Sequence, residues 1–110
     1  AKEFRTDLQQ MIDELKALPS KPRIILCDPI RCVAPVKPGY DNQIRDSIIQ
    51  GEITPVINKV AKKNKLEVID LRPVLDYTKD DLQRDGIHPT AKGDKKLARA
   101  VADVVAGGKQ

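Results

Sequence analysis

Hydrophobic residues recur at helical spacing near both ends of this chain and in short continuous runs between them. Near the start, an apolar stripe predicts an amphipathic helix over residues 3 to about 17, which Pro19 ends. The stripe consists of Phe4, Leu8, Met11, Ile12 and Leu15. Residues 23–28, which contain the apolar run 24–27, predict a short strand that is buried on both faces and closed by Pro29.

An irregular loop is predicted after this strand, from residue 29 to about residue 40. Four residues that interrupt regular structure fall within it, namely Pro29, Pro35, Pro38 and Gly39. The loop follows the carboxyl end of a strand, and open parallel sheets bind ligands at that edge. The sequence therefore predicts that this loop lies beside the functional site.

Helical spacing returns over residues 41–64. Gly51 predicts a break, and the helix is expected to restart near Glu52 with Pro55 in the first turn of the second piece. The apolar face of that piece consists of Ile53, Val56, Ile57 and Val60. Residues 66–70 then predict a second strand.

A loop over residues 71–89 leads to a final helix, for which Thr90 is a suitable N-cap and Gly107-Gly108 a suitable end. Its predicted inner face consists of Leu97, Ala98, Val101, Val104 and Val105. Helices alternating with strands predict a doubly wound α/β fold. Two short parallel strands cannot form a covered sheet by themselves, so we expect further strands from elsewhere and a domain about twice this length.

Charge and composition narrow the possible functions. The chain of 110 residues is 40% hydrophobic and 33% charged, which is typical of one globular domain at most. Its longest apolar run, residues 24–27, is far too short to span a membrane. The net charge is +4, but the lysines are scattered and one Phe and two Tyr offer few stacking platforms. We therefore expect no nucleic-acid site.

The two cysteines, Cys27 and Cys32, lack the Cys-x-x-Cys spacing of a zinc or redox site. Cys27 falls inside the first predicted strand and is expected to be a small buried side chain. Cys32 falls in the following loop, where a local disulfide to Cys27 remains open.

The segment Asp85-Gly86-Ile87-His88-Pro89 carries the most specific chemistry in the chain. It places the only histidine three residues after a carboxylate, just before the final helix. An aspartate that accepts the Nδ1 proton of His88 would leave Nε2 able to deprotonate a hydroxyl. The alternative is structural, with His88 a helix cap or surface residue and Asp85 a turn former. The only serines, Ser20 and Ser47, lie in no nucleophile motif.

Other polar residues are weaker candidates. Asp28 and Asp70 end the two predicted strands and are expected to cap a loop or helix rather than contact a substrate. Arg31, Tyr40 and Arg45 lie on the loop side, where they could overhang the site.

Together with Thr90 and Gly93, the segment from Asp85 to Pro89 resembles the last conserved block of the SGNH, or GDSL-type, serine hydrolases. The resemblance extends over essentially the whole chain. Residues 4–15 are similar to the helix that follows the family's Gly-x-Asn-Asp block. Residues 22–28, 52–63 and 68–71 are similar to later elements of its carbohydrate acetylesterase and sialate O-acetylesterase members.

The resemblance implies a flavodoxin-like parallel sheet flanked by helices, with its N-terminal strands missing from this chain. Residues 1–110 would be the C-terminal part of a single SGNH hydrolase domain. His88 would be the general base of a Ser-His-Asp triad, and Asp85 its partner. The Gly-Asp-Ser nucleophile and the oxyanion-hole residues would lie on an N-terminal segment of the same hydrolase, so the isolated chain is expected to be inactive.

The family's chemistry also bears on substrates and cofactors. The resemblance implies hydrolysis of acyl esters, above all O-acetyl esters, on a small molecule or carbohydrate, with neither metal nor organic cofactor. It favours a periplasmic or secreted location, which is common among the carbohydrate-active members. The alternative function is a noncatalytic α/β binding or interaction module that retains the SGNH tail. A third hypothesis, a basic nucleic-acid-associated domain, has net charge as its only support and is disfavoured by the scattered lysines.

Overall fold

Helices and strands alternate along the chain, as the hydrophobic pattern predicts. A computed structural model describes residues 2–34 and 44–107. The elements are α1 (Lys2–Lys16), β1 (Ile25–Asp28), α2 (Asp46–Ile48), a π-helical turn (Ile49–Ile53), α3 (Thr54–Asn64), β2 (Glu67–Asp70) and α4 (Ala91–Ala106). None of the helices within the described ranges is long and apolar enough to cross a membrane.

The two strands pair in parallel, with Ile25 opposite Glu67 and Asp28 opposite Asp70. Helix α3 connects them and packs against both. Since parallel strands point the same way, the loops that follow β1 and β2 leave the sheet at one edge. There the backbone N–H of Leu71 donates to the carbonyl of Asp28 at 3.3 Å. The predicted α/β fold is confirmed.

The apolar core lies between α1, α3 and the sheet. Ile12 of α1 is 1% exposed, and Ile57, Val60 and Ala61 of α3 are also buried. At the end of this contact the side-chain amides of Gln9 and Asn64 exchange hydrogen bonds of 3.0 and 2.7 Å. Helix α1 therefore covers α3 rather than the strands.

Strand β1 is less buried than predicted. Its side chains Ile25 and Leu26 are half-buried, and Cys27 is exposed, so the prediction of a buried Cys27 in a strand covered on both faces is wrong. Successive side chains of a strand point to opposite faces, which puts Cys27 on the same face as its register partner Ile69. Ile69 is buried, and α4 packs against its strand, β2. Among the described elements, α4 makes no comparable contact with β1, the strand that contains Cys27.

The helical segment before β2 does not break at Gly51 as predicted. The chain passes through Gly51 in the π-helical turn and continues into α3, with Pro55 in the first turn. Proline has no N–H and its ring clashes with the carbonyl four residues earlier, which here is that of Gly51. A wider turn accommodates that missing bond. Residues 35–43, which include Pro35, Pro38 and Gly39 of the predicted loop, lie outside the described ranges.

Helix α4 begins as predicted, since the side chain of Thr90 accepts a hydrogen bond from the N–H of Gly93 at 3.1 Å. It ends at Gly107, and Gly108 lies outside the described residues. Leu97, Val101 and Val104 of the predicted inner face are half-buried. The prediction is wrong for Ala98 and Val105, which are exposed, because α4 packs on β2 and its apolar stripe is wider than this contact.

Candidate active site

The loop between β2 and α4 folds back on itself and holds Asp85 and His88 near its tip. Leu82 and Pro89 form an antiparallel bridge across the loop. Inside it, the backbone N–H of Gln83 donates to the carbonyl of His88 at 2.7 Å, and the N–H of Gly86 donates to the carbonyl of Gln83 at 3.0 Å. We call residues 81–90 the hairpin loop.

Both oxygens of the Asp85 carboxylate are used within this loop. Oδ1 accepts the backbone N–H groups of Ile87 and His88, each at 3.0 Å, which fixes the turn. Oδ2 lies 2.5 Å from Nδ1 of the His88 ring. One side chain thus sets both the path of the backbone and the orientation of the imidazole.

Gly86 joins the hairpin loop to the loop that follows β1. Its φ is +79°, in the left-handed region, and an ideal Cβ at this position would lie 2.1 Å from the carbonyl oxygen of Val33. In return, the N–H of Val33 donates to the carbonyl of Gly86 at 2.9 Å. The two loops that leave the carboxyl edge of the sheet are therefore in direct contact beside Asp85 and His88.

The electrostatics favour an ionised Asp85. The hydrogen bond from His88, followed by those from the Ile87 and His88 backbone, lowers the pKa of Asp85 to about 2. With a carboxylate at Nδ1, that nitrogen carries the ring proton and Nε2 can act as a base. Within the described residues Nε2 has no hydrogen-bond partner, and 65% of the His88 side chain is exposed. The pair can therefore accept a proton from a group brought to this surface.

Comparison with known families identifies the group to which this sequence and loop belong. The model of the GDSL-like Lipase/Acylhydrolase family matches residues 1–96. The chain belongs to this family. It is also 37% identical, over 120 aligned positions, to an acetylxylan esterase of Xylanibacter ruminicola. That alignment covers 94% of this chain but 24% of the relative.

Solved structures confirm the predicted SGNH hydrolase fold. A lipase/acylhydrolase from Enterococcus faecalis matches with a TM-score of 0.72 at 28% identity, over 97% of this chain and 53% of that one. The esterase domain of the zebrafish ZfL2-1 ORF1 protein gives 0.76 at 16% identity, over 96% and 62%. A catalytic mutant of an acetylxylan esterase from Geobacillus stearothermophilus gives 0.67 at 22% identity, over 93% and 45%. The family member described here thus spans only part of each of these proteins.

The two strand-end aspartates of this GDSL-like chain have structural partners. Asp70 accepts the backbone N–H of Arg72 at 3.1 Å and caps the following loop, as predicted. Asp28 is 6% exposed and accepts the side-chain amide of Asn58 at 2.8 and 3.0 Å, so it holds α3 against the sheet instead of capping a turn.

Of the three loop residues predicted to overhang the site, the structure describes two. The Arg31 guanidinium lies 5.9 Å from the centre of the Tyr77 ring, and its Nε lies 3.8 Å from Asp46. Arg45 donates to the carbonyl of Ile44 at 3.4 Å. Tyr40 lies outside the described residues. Contact between any of the three and a ligand stays a prediction.

A polar cluster around Asp46 was not predicted. Its carboxylate accepts hydrogen bonds from both terminal nitrogens of Arg72 and, at 3.2 Å, from the backbone N–H of Cys32. Burial raises the pKa of Asp46, but the hydrogen bonds from Arg72 and Cys32 outweigh it and lower the pKa overall. Cys32 is 7% exposed, and both Cys32 and Cys27 are free thiols, so no disulfide joins them.

A second polar pair, Asp81 and Lys96, also went unpredicted. Lys96 Nζ lies 2.6 Å from Oδ2 of Asp81, whose side chain is fully buried. The hydrogen bond from Lys96, followed by that from the N–H of Asp76, lowers the pKa of Asp81. One feature of the sequence could have indicated this pair. Lys96 lies three residues after Gly93, so it lies on the helix face that Gly93 buries against the hairpin loop.

Proposed function

We propose that this chain is the C-terminal segment of a serine esterase, in which His88 is the general base of a Ser-His-Asp triad and Asp85 is its acidic partner. The observation that carries this role is the 2.5 Å contact between His88 Nδ1 and Asp85 Oδ2 in a member of a lipase/acylhydrolase family, with no partner for Nε2 among the described residues.

The nucleophilic serine comes from a part of the domain outside this chain. Neither serine of the chain lies in a nucleophile motif, and the chain spans from 24% to 62% of the relatives compared above. The sheet supports the same view, because two described strands with an exposed face are too few for a stable parallel sheet. An N-terminal segment with a Gly-Asp-Ser motif is therefore the expected partner.

The reaction is acyl transfer followed by hydrolysis. His88 Nε2 takes the proton of the serine hydroxyl as its oxygen attacks the ester carbonyl. The tetrahedral intermediate collapses, the alcohol leaves with the proton from His88, and the acyl group stays on the serine. A water molecule, deprotonated by His88, then releases the acid. Asp85 keeps the ring proton at Nδ1 throughout and stabilises the imidazolium.

The sequence relative that is an acetylxylan esterase supports a proposal for the substrate class. We propose O-acetyl esters on a carbohydrate as the substrate of the complete enzyme. A carbohydrate leaving group is an alcohol, which suits proton return from a histidine at an open surface.

The test is hydrolysis of 4-nitrophenyl acetate and of acetylated xylan by the full-length gene product. His88→Ala is expected to lower kcat at least about 1000-fold, since removal of a triad base costs that much or more. The exposed neighbour Arg84 provides a matched control, and Arg84→Ala should leave kcat unchanged. Residues 1–110 alone should show no turnover. Full activity of His88→Ala, with an unchanged circular dichroism spectrum, would exclude the assigned role.

A further inference from the structure

We propose that the ion pair between the buried carboxylate of Asp81 and the partly exposed Lys96 positions the hairpin loop, and with it the Asp85–His88 pair, on helix α4. Both would be positioning residues for the proposed reaction, and the inference rests on the role proposed above for His88. Neither residue is needed for the chemistry of a triad.

The carboxylate of Asp81 is buried, so its charge is costly unless it is paired. The Asp81 side chain is 0% exposed, and its Oδ2 accepts Lys96 Nζ at 2.6 Å and the backbone N–H of Asp76 at 2.7 Å. Among the described residues, Oδ1 has no hydrogen-bond partner. A carboxylate removed from water needs a charged partner, and Lys96, whose side chain is 39% exposed, supplies it from α4.

Asp81 is also the residue at which the backbone of the hairpin loop meets α4. Its carbonyl accepts the N–H of Thr90 at 3.0 Å, and an ideal Cβ on Gly93 would lie 2.1 Å from the same oxygen. The side chain reaches Lys96, almost one turn further along the helix. The loop is thus attached to α4 at two separate points, which fixes its rotation as well as its position.

His88 depends on that attachment. Its side chain is 65% exposed and its described hydrogen-bond partner, Asp85, belongs to the same loop. The orientation of the imidazole relative to the rest of the domain is therefore set by the loop as a whole. A displacement of about 1 Å in a catalytic group can cost about 100-fold in rate. An ion pair with a buried carboxylate contributes little net stability, so we assign this one to holding the loop in a single position.

The test compares kcat and KM of variants of the full-length protein on 4-nitrophenyl acetate. Asp81→Asn keeps the shape and an acceptor for the Asp76 N–H but loses the charge that holds Lys96. We expect kcat to fall about 10- to 100-fold with KM unchanged. Lys96→Arg keeps the charge and its donors and should recover most of kcat. Exposed neighbours give matched controls, and Asp80→Asn and Lys95→Met should behave as wild type.

The double variant Asp81→Asn/Lys96→Met separates positioning from stability. It contains no unpaired charge, so its Tm should exceed that of Lys96→Met, while its kcat should stay low. Recovery of kcat together with Tm would show that the pair is merely structural, and an unchanged kcat in Asp81→Asn would exclude positioning. If Asp81→Asn fails to fold, the double variant and Lys96→Arg decide the question. Full activity of His88→Ala would instead overturn the proposed function.

Discussion

Asp85 serves two purposes because an aspartate is short and has two oxygens. One oxygen accepts the backbone N–H groups of Ile87 and His88, so the turn is closed by the carboxylate itself. The other oxygen remains for the ring of His88 at 2.5 Å. Asp28 shows the contrast: its carboxylate is buried, and both of its oxygens accept the Asn58 side-chain amide of α3 instead of a histidine ring.

Gly86 is expected to tolerate no side chain. In Gly86→Ala the ideal position of the methyl group lies 2.1 Å from the carbonyl oxygen of Val33. The alanine would also have to keep a φ of +79°. The loops should separate and carry His88 with them. We predict a lower Tm and, in the full-length protein, a kcat reduced about 10- to 100-fold. Differential scanning calorimetry and ester hydrolysis measure the two effects.

Gly51→Ala is the matched control, since an added Cβ there meets nothing within 4 Å. Alanine favours a helix over glycine by about 1 kcal/mol, so Tm should rise slightly and kcat should not change. A Gly86→Ala protein with the kcat of wild type would mean that the close approach of the two loops is unnecessary.

At the scale of elements, α3 ends at a residue poorly suited to its conformation. Lys65 has a φ of 56°, and its backbone N–H donates to the carbonyls of Ala61 and Lys62, which closes the helix before β2. Glycine is the usual residue at such a position. We predict that Lys65→Gly raises the free energy of unfolding by about 1 kcal/mol, because an L-residue pays a penalty of about that size there. Urea unfolding followed by circular dichroism measures it.

Lys63→Gly is the control for this prediction, since Lys63 is exposed within α3. Glycine in the last turn of α3 should lower the free energy of unfolding by up to about 1 kcal/mol. If both variants are destabilised, the left-handed conformation of Lys65 does not limit the stability of this helix end.

Features encoded by neighbouring residues could be predicted from the sequence. Three such features depend on helical periodicity or on residues at most four positions apart. They are the apolar stripe that includes Ile12, the N-cap at Thr90 and the contact of Asp85 with His88. The break predicted at Gly51 failed because Pro55, four residues later, determines how the backbone passes through that turn.

Features encoded by distant residues could not be predicted. Asp46 and Arg72 are 26 residues apart, and Asp81 and Lys96 are 15 apart. Their pairing depends on how loops and helices pack, which no local pattern specifies. The exposure of Cys27 could not be predicted for the same reason, since α4 packs against β2 and not to a comparable extent against β1. The same holds for the burial of Cys32, whose backbone N–H donates to the Asp46 carboxylate.

In the whole molecule, charged side chains hold elements together at both edges of the sheet. At the amino edge, Arg23 forms two hydrogen bonds of 2.7 Å with Glu67 and also reaches the carbonyls of Val104 and Val105 at the end of α4. At the carboxyl edge, the carboxylates of Asp46, Asp81 and Asp85 hold the loops. Contacts of this kind depend on ionised aspartates, so acid should weaken the carboxyl edge.

The sign of this effect follows from the pKa values. Hydrogen bonds lower the pKa of Asp85 to about 2 in the folded state, whereas an aspartate in an unfolded chain titrates near about 3.9. The unfolded chain then binds more protons between these values, so stability is present above about pH 4 and is lost as the pH falls toward 2. The pKa values of Asp46 and Asp81 are also lowered, in the same direction.

We therefore predict that Asp85→Asn lowers the urea midpoint of the full-length protein near pH 6, and that the gap from wild type narrows as the pH falls from about 5 to about 2. The asparagine has no charge to lose, whereas the wild-type aspartate loses its advantage on protonation. Thr6→Ala, an exposed uncharged change on α1, should keep a constant gap over the same range. A gap for Asp85→Asn that is equally constant would mean that the charge of Asp85 does not stabilise the hairpin loop, and that its hydrogen bonds to Ile87 and His88 act through geometry alone.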